Sequence, residues 1–257
     1  MSTSTPHSEV LTAPDRPPAP PRRQPGRVLG AVLCALLGLC LTGAAGYTAV
    51  AEHRAAQRPL AAEAAYREAA SLWRSTPVDT LFPPVVEGAG AGPGGADRTW
   101  TRIALAPDAE CSAALAADWQ ALLAEAGCTR VLRATYTDAT RSSLVTVGMV
   151  FAPADAPALS ALRGRLTIPP GYGFPDDRRA AWTASVLPEA PVVLYSVSAF
   201  ADGRTLDAPT PADEAMRKDA TGPVAQAGLG HEAKGVADRV ERAVRALAAP
   251  PAPEPAR

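Results

Sequence analysis

The chain has 257 residues, with 25 Lys and Arg against 26 Asp and Glu and a formal net charge of −1. Arginine carries nearly all of the positive charge, lysine occurring only at Lys218 and Lys234, and so even a balance leaves no electrostatic footprint for nucleic acid. Four cysteines and three histidines are too few for an obvious metal framework, and the heavy use of alanine, proline and glycine reflects coding bias more than any repeat.

Residues 1–27, with "PDRPPAPPRRQPGR", are polar and proline-rich and cannot bury enough surface to offset the entropy of ordering, so a disordered cytoplasmic tail is expected. From Val28 to Val50 no charge interrupts the apolar run. At 1.5 Å per helical residue the run reaches ~35 Å, enough for the ~30 Å hydrocarbon core, and a transmembrane helix over 28–50 is expected. Arg16, Arg22, Arg23 and Arg27 precede it, whereas the flank after it mixes Glu52 and Glu63 with Arg54 and Arg58. The positive-inside rule then places the N-terminus in the cytoplasm and everything after about Ala51 outside. A cleavable signal peptide is the rival reading, since Ala49-Val50-Ala51 has the small residues of a cleavage site; the long charged leader and long apolar run weigh against it. Cys34 and Cys40 each follow a leucine, not the small residue of a lipid-attachment box, and read as small buried hydrophobes.

Residues 51–98 read as a helical stalk and glycine-rich linker. The alanine-rich stretch from Leu60 to Arg74 has helical character, with Pro59 expected to kink or restart it. "EGAGAGPGGADR" lacks the Gly-Lys-Ser/Thr of a phosphate loop and the strand and helix that flank a dinucleotide fingerprint, leaving a flexible linker. Leu81, Phe82, Val85 and Val86 are too apolar for solvent and should dock on the domain C-terminal to them.

An extracytoplasmic α+β domain is expected over 99–248. "TWTRIALA" alternates as a strand does, "RVLRATYTD" and "SLVTVGMVF" form a hairpin about Asp138-Ala139-Thr140-Arg141, "PADAPALSALRGRL" is a helix with Asp155 as N-cap, and "AWTASVL" and "PVVLYSVSAF" are further strands. The order strand, helix, strand, strand, helix, strand suggests a ferredoxin-like antiparallel sheet covered by helices on one face. Val236, Val240, Ala243, Val244 and Leu247 give an amphipathic helix beyond Gly230, and 249–257 is a disordered tail.

Cys111 and Cys128 bracket "CSAALAADWQALLAEAGC", whose apolar positions favour one helix of ~25 Å, whereas a disulfide needs its Cα atoms within about 7 Å. An oxidising compartment favours pairing. Two short helices, roughly 109–116 and 119–126, with Asp118 capping the second and Gly127 ending it, would bring the cysteines together. One continuous helix with free or intermolecular cysteines is the alternative.

The region from about Pro77 to Gly203 resembles a group of uncharacterised single-pass membrane proteins from high-GC actinobacteria, through Leu81-Phe82-Pro83-Pro84, "WTRIALAP" leading to Cys111, Cys128, "RATYTDATR", "TVGMV" and "FADGR". The resemblance implies a short inner tail, one span and an outer domain, and carries over no catalytic residue.

Chemistry is sparse. His7 and His53 lie away from the fold, leaving His231, and two distant cysteines lack zinc spacing, so no metal or cofactor is expected. No nucleophile elbow or zinc-protease motif occurs. Asp138, Asp176, Asp177 and Asp202 sit in turns and loops, where aspartate has backbone reasons to be, so catalysis is not expected. The best contact surface is the polar face of the hairpin, Arg133, Thr135 and Thr137, with Arg141 at its turn. The expected function is a non-enzymatic, membrane-anchored envelope protein whose outer domain binds a protein or envelope component. A small-ligand sensor is the alternative, and a hydrolase ranks below both.

Overall fold

The computed structural model describes residues 25–250, and of 25–29, 31, 57 and 58 the backbone only. The expected tails 1–27 and 249–257 lie outside the described residues except at their inner ends, where positions 25–27 belong to a helix. Contacts divide the chain between Ala55 and Ala56 into two compact units.

Helix α1, Pro25–Ala69, opens the description and contains Pro59, which does not interrupt it. In the first unit its leucines face outward, with Leu36 57 % and Leu39 73 % exposed. Among the described residues these side chains pack on no other element, and α1 is long and apolar enough to cross a membrane. Thr42 and Thr48 donate back to the Gly38 and Ala45 carbonyls, as hydroxyls without water do. Cys34 and Cys40 are free and exposed on this helix.

The second unit is mixed α and β. After α1 come two single-turn helices, α2 (Leu72–Ser75) and α3 (Val78–Leu81), then strands β1 (Val85–Gly88) and β2 (Arg98–Leu105). Helices α4 (Cys111–Ala114) and α5 (Ala117–Leu123) precede the hairpin of β3 (Arg130–Asp138) and β4 (Ser143–Phe151). Helix α6 (Ala156–Ser160) leads to β5 (Arg179–Val186), β6 (Val192–Phe200) and a two-residue β7 (Thr210–Pro211); α7 (Ala212–Ala215), α8 (Pro223–Gln226) and α9 (Leu229–Ala248) complete it.

The sheet runs β1-β2-β3-β4-β6-β5-β7, antiparallel throughout except for β5 with β7. This corrects the ferredoxin-like expectation. A ferredoxin-like sheet inserts a strand between the two strands of each β–α–β unit. Here β2 and β3, which flank α4 and α5, are direct neighbours, so only the second half, β4–α6–β5 with β6 between, has that split form. Coverage is corrected as well, because both faces are buried. On one face Val236, Val240 and Val244 of α9 pack on Leu132, Tyr136, Val147 and Leu194. On the other, Trp119 and Leu123 of α5 and Leu159 of α6 pack on Val131, Val150 and Val193. Sheets buried on both faces carry near-continuous apolar runs, and "SLVTVGMVF" and "VVLYSVSAF" are such runs.

The interval expected as stalk and linker supplies part of this core. Leu81 and Phe82 are fully buried, and β1 extends the sheet. Carbonyls of the "LFPP" turn are held by Arg102, which reaches Phe82 O at 2.5 Å, by the Arg102 amide on Pro84 O at 2.8 Å, and by Tyr136 Oη on Pro83 O at 2.9 Å. The glycine-rich segment is equally engaged: Arg239 donates to Ala89 O at 2.8 Å, Asp97 accepts from the Gly90 amide at 2.8 Å, and His231 Nδ1 lies 3.2 Å from Ala91 O. Beneath it Trp100 Nε1 donates to the buried Glu232 carboxylate, which also meets Arg98 at 3.1 Å. Desolvation raises the Glu232 pKa, with the Trp100 hydrogen bond and the Arg98 charge opposing it.

The two cysteines are bonded, with Cα atoms 6.1 Å apart. The expected break is present, but its cause is different. Leu115 and Ala116 are extended, Ala116 occupies the N-cap of α5, and Asp118 lies inside the first turn. Gln120 Nε2 instead donates to the orphaned Leu115 carbonyl at 2.7 Å. Gly127, at φ 69°, ends the segment in the left-handed conformation and donates to Leu123 O, as expected. Asp155 caps α6 by accepting from the Ala158 amide at 2.8 Å.

Candidate binding sites

Two concavities lie at opposite ends of the central strands β4 and β6. Nine residues of strand separate them, ~30 Å at 3.3–3.4 Å per residue.

The first is a groove of about 640 Å³ where the last turns of α1 meet the β4–α6 and β5–β6 connections. Ala62, Tyr66 and Ala70 form one wall, and Pro153, Pro157 and Pro191 the other. The prolines have a topological cause: each stands just outside a strand end or inside the first turn of a helix, where no ladder hydrogen bond is lost. Glu63 and Arg67 pair at 3.3 Å on the rim. The Tyr66 hydroxyl is buried without a hydrogen-bond partner among the described residues. Burial, and then the nearby Asp155 charge, push its pKa up to about 12, so it stays a neutral donor at any physiological pH. A mostly apolar concavity of this size with one unsatisfied donor has the anatomy of a binding groove.

The second concavity is a cleft of about 490 Å³ between the β3–β4 turn and the turn after β6. Pairing of Ser143 with Phe200, continued by the Ala201 amide on Ser142 O at 3.0 Å, brings the "TDATR" and "FADGR" stretches together. Asp138 organises the first turn. Its Oδ1 accepts from the Ser142 and Ser143 amides at 2.8 and 2.7 Å, and its Oδ2 from the Thr140 and Ser142 hydroxyls. Burial alone would raise this carboxyl, but the hydrogen bonds from Thr140, Ser143 and Ser142 win and hold it at about 2. Arg141 closes the turn at φ 56°, the sole described non-glycine residue at positive φ. Across the cleft Arg204 grips Asp202 through Nε and Nη2 and stacks on Phe200, 4.2 Å from the ring centroid. That fork keeps the Asp202 carboxyl below the usual range.

Of the expected contact residues, Arg141 alone lines a concavity. Thr135 and Thr137 are buried, which corrects the solvent-facing reading of that strand face. The "IPPGYGFPDD" loop lies over it: Thr135 Oγ1 and Thr146 Oγ1 donate to Tyr172 O at 2.7 and 2.6 Å, and Thr137 Oγ1 donates to Ser143 O at 2.8 Å. Arg133 is half-buried beneath the same loop, 4.9 Å from the Tyr172 ring, with Nη1 on Ala114 O at 3.3 Å. Its neighbour across β4 is Gly148, over which the Tyr195 ring lies, and a methyl group at Gly148 would overlap that ring.

Three of the four aspartates weighed for catalysis are engaged locally. Asp138 and Asp202 are engaged in their turns, and Asp176 pairs with Arg179 at 3.6 Å. Among the described residues no group of three or more His, Cys, Asp or Glu is placed to hold a metal ion. Sequence reasoning misses the Tyr66 groove because its two walls come from segments almost 90 residues apart, and an alanine-rich helix face carries no sign of what packs on it. No protein-family model matches the chain, and no curated protein or solved structure matches it either.

Proposed function

We propose that the protein is a non-enzymatic, single-pass envelope protein, with its N-terminus in the cytoplasm and the 56–250 unit outside, whose outer domain docks a protein partner in the Tyr66 groove. The observation that carries this reading is the groove itself, apolar, concave and lined by a tyrosine whose buried hydroxyl lacks an acceptor among the described residues. An unsatisfied buried donor costs about 1–3 kcal/mol, and a turn of the Tyr66 side chain toward the groove would let a docked partner carbonyl remove that cost. The arginines before the span and the Cys111–Cys128 disulfide support the orientation, since disulfides persist in oxidising compartments. The resemblance to single-pass actinobacterial membrane proteins is compatible with the same topology.

The test is photocrosslinking in intact cells from a benzophenone side chain placed at Glu63 on the groove rim. One recurrent adduct, lost when Ala154→Arg fills the groove and identified by reciprocal capture, is the expected result. An absence of any adduct sensitive to Ala154→Arg overturns the reading. A small-ligand sensor is the second reading, favoured by a volume within the ~300–1,000 Å³ of small-molecule sites.

A further inference from the structure

Resting on the binding-module reading, we propose that the cleft at the far end of the sheet, between Arg141 and Arg204, binds the oxyanions of an acidic envelope polymer, phosphodiester or carboxylate.

The geometry begins with charge. Arg141 is exposed and its guanidinium has no hydrogen-bond or ion-pair partner among the described residues, although it is held at a fixed point by a turn that Asp138 ties down. Arg178 lies behind the opposite turn, against Gly203, where a side chain would otherwise stand, and its buried Nε is unpartnered among the described residues. Arg204, like Arg141, lines the cleft, whereas Arg178 stands behind it. Of the carboxylates at these turns, Asp138 is filled by its own turn, and Asp202 sits in the Arg204 fork. Asp177, on the adjoining turn, does not line the cleft. With Asp202 offset by Arg204, the unpaired charge among the described residues lining the cleft is the Arg141 cation, so the cleft favours anions.

Arginine is suited to the task, because its planar fork matches the two oxygens of a phosphate or carboxylate. The position of Arg141 is itself informative. A non-glycine residue at positive φ is strained, and such strain persists where the surrounding structure over-determines it, commonly at ligand sites. The occupant is argued from placement. The cleft lies at the opposite end of β4 and β6 from the wall built by the last turns of α1. A repeating polymer in that position gains by rebinding what a shallow cleft lacks in single-site affinity.

The experiment uses the full chain in detergent micelles, applied to beads carrying poly(glycerol phosphate), polygalacturonate or neutral dextran, with phosphatidylglycerol vesicles as a fourth arm. Retention on at least one polyanion about 10-fold above dextran is expected, falling about 10-fold in Arg141→Gln, restored in large part by Arg141→Lys, and unchanged in Arg163→Gln, an exposed arginine outside the cleft. Arg141→Gly, which suits the positive φ, serves as a second charge-removing variant with no folding penalty. The inference is overturned if neither polyanion exceeds dextran, if Arg163→Gln loses as much as Arg141→Gln, or if only the vesicles retain the chain. The Glu63 photocrosslink is an independent readout. Lost polyanion binding with the groove adduct intact removes this inference alone, whereas loss of both removes the binding-module reading.

Discussion

At the scale of single residues, Asp138 shows how one side chain sets a turn and, through it, a cleft. Its ionised carboxylate accepts from three backbone amides and three hydroxyls, and protonation would turn one oxygen into a donor facing donors. Its pKa is near 2 when folded against 3.8 in the ordinary case, so the native state binds the proton less tightly than the unfolded chain does. The stability it contributes is therefore complete above about pH 5 and is lost as pH falls from about 4 to 2. The carboxyl remains partly solvated, so after discounting for screening the contribution is about 1 kcal/mol. Asp138→Asn is expected to lower the urea midpoint at pH 7 by a corresponding amount, and the difference between the two proteins should vanish near pH 2. A gap that persists unchanged at pH 2 would mean that the carboxylate charge is not what holds the turn.

At the scale of elements, periodicity makes the hairpin and α9 legible. Both β3 and β4 occupy the β-rich runs on either side of the expected turn, and the valines at 236, 240 and 244 form the buried face of α9. The α4–α5 break is legible for a different reason: two cysteines expected to pair contradict a straight helix. Its chemistry is not, because the residue that satisfies the freed Leu115 carbonyl is Gln120, a side chain that has no strong signature at such a site. The burial of Thr135 and Thr137 escapes the sequence for a similar reason. Their partners are carbonyls, one supplied by a proline- and glycine-rich loop some 35 residues onward, and a backbone carbonyl leaves no mark on a sequence. The disulfide closes a loop with a sequence separation of 17, which the chain-entropy model values at ~3 kcal/mol. The double variant Cys111→Ala, Cys128→Ala should lose about that much by chemical denaturation, and Gln120→Ala about 1 kcal/mol. Combined in one chain, the substitutions should cost less than the sum of the two losses, since both act on the same bend.

At the scale of the molecule, the boundary between anchor and domain lies earlier than composition suggests. Alanine-rich helix and glycine-rich loop look like spacer, yet from Tyr66 onward they are part of the folded unit, with Ala69, Leu72, Leu81, Phe82 and Val86 in the same cluster as α9. The reason is topological. Strand β1 covers Arg98 to Thr101 of β2, and Gly88 lies against Trp100, so without the preceding segment a buried indole and a paired strand edge would face water. Each large apolar side chain lost from this cluster removes roughly 2 kcal/mol, and Leu81, Phe82 and Val86 together approach the ~5–15 kcal/mol net stability of a typical domain. Two truncations separate the alternatives. A chain beginning at Ala56 keeps the whole second unit and should give a cooperative thermal transition with a strong near-ultraviolet tryptophan signal. A chain beginning at Arg98, near the boundary that composition suggests, retains β2 to α9 but exposes Trp100 and the β2 edge, and should show neither signal and associate in solution. Equal cooperativity in the two would assign residues 56–97 to a spacer. It would also leave the groove wall formed by Ala62, Tyr66 and Ala70 without a folded reason to stay in place, so this truncation pair bears on the binding reading as well as on the fold.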